Sequence, residues 1–360
     1  MTDMEWSEIM REKWRFGIVG AGGISELHLN TLEKEPRAEV VAISDVAVEK
    51  ARERAERHGI PHVYKDFGDL IRREDVDAVI VCVPNDLHAP VAIDALRAGK
   101  HVLCEKPMAI NGDLARKMAE VAKETNRVLM IGQNNRFHSE TLLLKELIEK
   151  GKLGQIYHAK TGWIRRNGIP GWGSWFTSME RAGGGPLIDI GVHMLDLTLW
   201  LMGFPKPLAV FGQTYGVFGP RKKGLSGYGS IDERGVFDVE DLAVAMIRFE
   251  GGVTLTLDVS WAAYVERDRV FVNLFGSEGG AAVDLHDRKI TLFHEEGNTP
   301  VDSVLRPARR DDRLHLLKNF IDSMEGTASP ICTPEHGVYI HRILDAIYRS
   351  SRTGELVELD

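Results

Sequence analysis

Short apolar runs alternate with amphipathic stretches over the first third of the chain. RFGIVG (15–20), AEVVAIS (38–44), VDAVIVCV (76–83), HVLCE (101–105) and RVLMIG (127–132) are almost wholly apolar. Brief runs without polar alternation are the mark of strands buried on both faces. Charged stretches of helical period lie between them, at about 24–34, 48–59, 88–98 and 113–124. Strand and helix in strict alternation, with short connections, predict a parallel, doubly wound sheet with right-handed crossovers.

The pattern changes after about Gln133. SETLLLKELIEKG (139–151) reads as a helix and GQIYHAKTGWIRR (154–166) as a strand. EDLAVAMIRFE (240–250) and VTLTLDVSW (253–261), joined by Gly251–Gly252, read as a hairpin. RVFVNLFG (269–276), GAAVDL (280–285) and KITLFH (289–294) continue as strands, and 312–326 and 334–354 close the chain as helices. The predicted fold class is α/β. A Rossmann domain occupies 1–134, and an α+β domain with a large, mostly antiparallel open sheet occupies 135–360. Helices cover one face of that sheet. The stretch 214–236, rich in glycine and charge, reads as an exposed loop.

The first strand runs into GAGGIS (20–25). Gly20 permits a tight turn and Gly22 a close backbone approach to a pyrophosphate. Gly23 and Ile24 open the helix, and Ser25 stands where a third glycine or alanine is usual. The helix N-terminus then faces the phosphates. Asp45 ends the second strand about twenty residues on, where a carboxylate accepts from ribose hydroxyls and repels a 2′-phosphate. No Arg or Lys follows it at 46–48. The cofactor expected is NAD rather than NADP.

Further strand ends converge on the same cleft in VPNDLH (83–88), with Pro84, Asn85 and His88, and in CEKPMA (104–109), with Glu105 and Lys106. GGGPLIDIGVHMLD (183–196) supplies the facing wall. It reads as a buried helix whose Asp189, His193 and Asp196 stack on one face at i, i+4 and i+7. Buried acids and imidazoles are costly unless paired. Asp196 either supports His193 or belongs to the packing. WIRRNGIPGWGSWFT (163–177) is the most distinctive stretch elsewhere. Trp172, Trp175 and Phe176 offer aromatic faces to sugar rings, and indole N–H groups to hydroxyls. Arg165 and Arg166 alternate, so one of them faces the cleft, where it would favour a carboxylate or phosphate. His158 and Asn167 are further hydroxyl partners.

Bulk properties narrow the class. The 360 residues carry 43% apolar residues and a net charge of −8. That charge argues against a general nucleic-acid binder. No single apolar run reaches the length of a membrane span, and the polar start MTDMEWSEIMREKW lacks a signal-peptide core. Cys82, Cys104 and Cys332 are widely spaced, which suits reduced thiols in the cytoplasm and no thiolate metal knuckle. No metal site is expected.

These motifs resemble the glucose–fructose oxidoreductase, inositol dehydrogenase and rhizopine catabolism (Gfo/Idh/MocA) family. The resemblance rests on GAGGIS, the Asp45 strand end, VPNDLH, CEKP, GQNNRF (132–137) and GGGPLIDIGVHMLD. It implies a Rossmann domain followed by a substrate-binding and oligomerisation domain with a large open sheet. It also implies NAD(P)-linked oxidation or reduction of a sugar or cyclic polyol such as an inositol. The family's catalytic lysine, aspartate and histidine fall on Lys106, Asp189 and His193, and the bond before Pro107 is often cis. Gln133 of GQNNRF joins the expected cofactor contacts, and a homodimer or homotetramer is implied. His193 or Lys106 takes the hydroxyl proton, and Asp189 binds substrate or orients His193. Two other functions compete with the dehydrogenase. One retains NAD and oxidises a sugar transiently to cleave a glycoside without net redox change. The other is a non-catalytic sensor, which would not require the Lys–Asp–His set.

Overall fold

The computed structural model describes residues 13–360; most of the polar start lies outside the described residues. Strands β1 (Trp14–Val19), β2 (Ala38–Ser44), β3 (His62–Tyr64), β4 (Ala78–Val81), β5 (His101–Cys104) and β6 (Leu129–Ile131) form a parallel sheet in the order β3-β2-β1-β4-β5-β6. The order reverses between β1 and β4, and the ligand crevice of such a sheet lies at that point, beyond the strand ends. All four residues of β4, Ala-Val-Ile-Val, are fully buried, as its unbroken apolar run requires. Helices α1 (Gly23–Leu32), α2 (Val48–His58), α3 (Phe67–Ile71), α4 (His88–Arg97) and α5 (Gly112–Thr125) connect the strands.

The second sheet has nine strands: β7 (Ile156–Ile164), β8 (Pro207–Tyr215), β9 (Leu242–Phe249), β10 (Thr254–Ser260), β11 (Arg269–Gly276), β12 (Gly280–Asp284), β13 (Lys289–Glu296), β14 (Thr299–Leu305) and β15 (Val357–Glu358). Their order is β14-β13-β12-β11-β7-β10-β9-β8-β15, and among the described residues only β7 and β10 pair in parallel in this sheet. Alternating burial along β9 and β10 gives the sheet one packed face. That face is covered by helices α6 (Ser139–Glu149), α8 (Val192–Met202) and α10 (Pro334–Thr353). A single-turn helix, α7 (Met179–Ala182), precedes α8. Helix α9 (Asp312–Met324) returns to the first sheet, where Leu316, Leu317, Phe320 and Ile321 pack with Phe16, Ile18 and Leu29.

The predicted strands hold to within a few residues, with three corrections. Strands β3, β8, β14 and β15 are additional, and Thr214 and Tyr215 belong to β8 rather than to the loop 214–236. The stretch around Asp189 is not a plain α-helix. Leu187–Gly191 forms a π turn before α8 begins, so Asp189 and His193 do not stack with α-helical spacing. Among the described residues, 179–202 is long and apolar enough to cross a membrane by length and composition. Glycines and charged residues break it into shorter apolar runs. Of its most apolar window, 83% is buried inside the fold, as a core helix is.

Candidate active site

Gly20 takes φ +102, and a Cβ there would lie 2.3 Å from the Cys82 carbonyl oxygen, so the turn admits only glycine. Around Gly22 and Gly23 the space is open: a Cβ on either would meet nothing within 4 Å. Helix α1 starts there with no side chain capping its amides. Its N-terminus therefore has donors and room for a phosphate. Ser25 faces inward, its hydroxyl donating to the Gly22 carbonyl (2.7 Å), and Ile24 packs against the first core. Asp45 accepts from the amides of Ala21 and Ala47, both at 2.7 Å. A carboxylate has about four lone-pair sites, so it can still accept from a ribose. The strap from Asp45 to the glycine turn was not foreseen, because it links residues 24 apart in sequence.

Two expected cofactor contacts are engaged elsewhere. The Asn85 amide donates to the Ala182 carbonyl (2.9 Å), tying α7 to the end of β4. His88 is buried, with one ring nitrogen 2.6 Å from the Pro107 carbonyl and the other 2.9 Å from that of Val83. Its role is to brace the chain around Pro107. Pro84 shapes the turn before α4. Gln133 is buried, and its Oε1 has no protein partner.

The Lys106–Pro107 bond is cis. Glu105, just before it, is buried with Oε1 at 2.7 Å from His28 Nε2 and 3.6 Å from Arg313 of α9. Burial pushes its carboxyl up, but His28, Arg313 and Lys106 outweigh this and hold it down to about 2. Lys106 reaches across to the second domain. Its Nζ donates to the Asp189 carbonyl (2.8 Å) and to Asp189 Oδ1 (2.9 Å). An ammonium has three donors, so one N–H remains for a substrate oxygen.

The opposite wall is built by three close approaches. A Cβ on Gly183 would lie 2.7 Å from the Ile110 carbonyl oxygen, on Gly184 1.9 Å from the Tyr348 hydroxyl, and on Gly185 1.9 Å from the Glu240 carbonyl oxygen. The glycine triplet thus lets the chain pass between the first domain, α10 and the start of β9. The Glu240 carboxylate accepts from the amides of Gly185 and Leu187, both at 3.0 Å, and caps the π turn. Asp189 Oδ2 accepts from the indole N–H of fully buried Trp261 (2.9 Å). Burial pushes the Asp189 carboxyl up, yet the Lys106 ammonium, with Arg165 and the Trp261 N–H, holds it below its ordinary value.

Asp189 therefore orients Lys106, not His193 as one expectation had it. His193 is buried against Trp163, ring centroids 5.9 Å apart, and its Nδ1 has no partner. Burial, reinforced by the Lys106 charge, pushes its pKa well below the ordinary histidine value. The imidazole is neutral at pH 7 and free to accept a proton. Asp196 turns away and meets Arg136 through two bonds of 2.7 and 2.6 Å.

Of the two alternating arginines, Arg165 faces inward, 4.9 Å over the Trp163 ring, while Arg166 is exposed and meets the Glu266 carbonyl. Trp172 cannot offer its N–H, which donates to the Gly219 carbonyl (2.8 Å) while Lys222 covers its ring at 4.2 Å. Trp175 stays partly exposed, stacked on Phe176. Asn167 is exposed beside Ala262. His158 bonds Thr254 on the second sheet (2.8 Å). Sequence reasoning missed Trp261, Glu240, His28 and Arg313. Each acts on a partner more than fifty residues away and belongs to no short motif. Among the described residues no group of three or more His, Cys, Asp or Glu is arranged to hold a metal ion.

A dinucleotide crevice facing a lysine–aspartate pair and a neutral histidine defines an oxidoreductase of the NAD-dependent dehydrogenase class. The chain belongs to the Gfo/Idh/MocA oxidoreductase family. Residues 14–133 match its oxidoreductase, NAD-binding Rossmann-fold model, and 141–282 match its C-terminal domain model. The chain is 33% identical over 353 residues to D-glucoside 3-dehydrogenase of Escherichia coli (strain K12), covering 96% of this chain and 97% of that one. It is 30% identical over 327 residues to myo-inositol 2-dehydrogenase of Thermotoga maritima, covering 90% and 92%. The crystal structure of an oxidoreductase domain protein from Kribbella flavida superposes with a TM-score of 0.86 at 25% identity, covering 97% and 99%.

Proposed function

We propose that this protein oxidises a hydroxyl-bearing carbon of a sugar or cyclic polyol, with NAD as the hydride acceptor. The glycine turn 20–25, the amides of α1 and Asp45 would hold the cofactor. Bound NAD supplies the acceptor for hydride, and the open space over Gly22 and Gly23 fits its pyrophosphate. Asp45 at the end of β2, with exposed Val46 rather than a cation beside it, favours NAD over NADP.

The remaining N–H of Lys106 binds the reacting hydroxyl oxygen and stabilises charge that develops on it. Asp189 fixes the ammonium from two atoms, and Trp261 fixes Asp189 from the other side. His193 accepts the hydroxyl proton on its neutral imidazole. The observation that carries this reading is the Lys106–Asp189 pair bridging the two domains at the end of β5, next to a neutral, unpartnered His193. Arg165 and Trp163 line the same wall and are proposed to contact the substrate ring; Trp175 belongs to the rim.

The outer face of the nine-stranded sheet supports a homo-oligomer. Phe211 and Met246 lie opposite one another there, 49% and 51% exposed, an apolar patch that a second copy would bury. Light scattering of a Met246→Glu variant tests this: a smaller particle than wild type is expected, and an unchanged mass argues against that face.

The test of function is NADH absorbance during incubation with NAD and a panel of inositols, aldoses, uronates and simple glycosides. Steady NADH formation with one free sugar or polyol is expected. Loss of a glycoside without NADH would replace this reading with an internal redox cycle on retained NAD.

A further inference from the structure

The chemistry above leaves a set of aromatic rings at the rim unused. Trp175 and Phe176 stack with centroids 3.8 Å apart and planes at 24°. Tyr228 meets Phe176 edge-on at 5.8 Å and is 61% exposed. These rings come from two loops, 170–178 and 224–236, locked together by their backbones. Gly171 N donates to the Tyr228 carbonyl and Asp232 N to that of Trp172, both at 2.8 Å. A Cβ on Gly173 would lie 1.9 Å from the Asp232 carbonyl oxygen, and one on Gly235 1.8 Å from that of Gly173. The Thr177 hydroxyl donates to the Val236 carbonyl (2.8 Å). Glycines at the crossings and Trp172 packed beneath make this a braced shelf.

Both ends of the shelf are anchored at the active site. Through α7 the first loop ends on Ala182, whose carbonyl receives the Asn85 amide at the end of β4. At its other end Gly168 N donates to the Gly224 carbonyl. There Ile169 packs with Trp261, the donor to Asp189, and with Ile190, the residue after Asp189. The loops that carry the rings therefore start and end on residues that border the catalytic pair. The Tyr228 ring faces water while Trp175 and Phe176 are partly buried beside it, which leaves a contiguous aromatic surface. Ring faces suit the C–H faces of a sugar or an aryl group.

We propose that Trp175, Phe176 and Tyr228 form a subsite for the aglycone of a glycoside, an aryl group or second sugar joined to the ring that is oxidised. This deepens the dehydrogenase reading and rests on it for turnover, but not for binding. Two measurements keep them apart: kcat/KM with NAD, and affinity by calorimetry in the presence of NADH, each for methyl and phenyl β-glucoside. Wild type is expected to favour the phenyl glycoside at least tenfold in both. Phe176→Leu with Tyr228→Ala should narrow that ratio to about threefold or less, through KM rather than kcat, and Tyr228→Phe alone should keep it. Loss of affinity ratio in the double variant supports the subsite even where no NADH forms. Turnover of methyl glucoside by wild type with no preference for the phenyl glycoside overturns the subsite and leaves the dehydrogenase standing. A preference that survives in the double variant overturns it as well.

Discussion

Two acid–base pairs hold the same polar stripe, seven residues apart, and they differ in one respect that decides their use. Asp189 meets Lys106 where both side chains keep some access to solvent, 17% and 19%. Asp196 meets Arg136 where they keep 2% and 0%. The Lys106 ammonium retains a free donor, whereas every nitrogen of the Arg136 guanidinium already has a partner. It forks onto Asp196 and reaches the Ile331 carbonyl (2.6 Å) and His336 (3.2 Å). The carboxyls respond in opposite directions. Asp189 is held below its ordinary value, while burial leaves Asp196 above it despite Arg136. An identical pattern of acids along a chain can thus supply a working group at one position and a rivet at the next. Accessibility of the partner separates the two.

Breaking each pair should therefore fail differently. Lys106→Met is expected to lower kcat by about 10²–10³-fold, the scale of a lost donor to a developing oxyanion, with little change in Tm. Asp196→Asn leaves a buried guanidinium uncompensated and should cost about 3–5 kcal/mol of stability, with kcat per folded molecule close to wild type. Chemical denaturation beside steady-state kinetics checks both. Replacing the whole rivet, Arg136→Met with Asp196→Leu, should recover most of that loss, because apolar substitutes for a buried pair are often tolerated. A Lys106→Met variant that unfolds like Asp196→Asn would erase the distinction drawn above.

Acid sharpens the comparison. His341 lies in the sealed region, buried, its Nε2 accepting from the Ala109 amide (3.3 Å). Burial pushes its pKa from 6.5 down to about 4. The unfolded chain takes up that proton at about 6.5 and the folded one does not. The stability it confers is thus complete above 6.5 and is lost as pH falls toward 4, about 3 kcal/mol in all. His193 is also shifted down, so the neutral base persists through the ordinary histidine range. Denaturation midpoints should fall between pH 6.5 and 4 while kcat keeps no inflection near 6.5. An acid limb centred at 6.5 would mean that His193 is not the buried base described here. The His341→Gln variant should flatten the stability curve and leave the rate profile alone.

Much of this was legible from periodicity and short motifs. Unbroken apolar runs marked the first sheet because a doubly covered strand cannot carry polar residues. The glycine turn of GAGGIS was legible because the backbone there admits only glycine, whereas Lys106, Asp189 and His193 were singled out through the family resemblance of EKP and GGGPLIDIGVHMLD. The partners were not legible. Trp261 lies 72 residues from Asp189, and Arg136 lies 60 from Asp196. Such pairings exist only once the two sheets are assembled. The π turn escaped too, since its extra residue alters no apolar position. Strand β8, PLAVFGQTY, hid because Gly212 interrupts its pattern. A side chain there would meet Ile347 of α10 at 2.7 Å, a constraint set by tertiary packing.

Trp261 is the finest test of how the open pair works. Its N–H holds one carboxylate oxygen of Asp189 while Lys106 holds the other. Trp261→Phe keeps an aromatic ring in the core and removes the donor. A hydrogen bond to a charged group contributes about 1.5–3 kcal/mol. Lys106 still fixes the other oxygen, so the smaller end applies, and a fall of about tenfold in kcat is expected. The same change frees the Asp189 carboxyl to take up a proton at higher pH, which should move the acid limb of kcat upward. A role in packing alone would lower Tm and leave the profile of the folded fraction where it was. Movement of that limb, more than the size of the rate loss, decides whether Trp261 serves Asp189 or only the core beneath it.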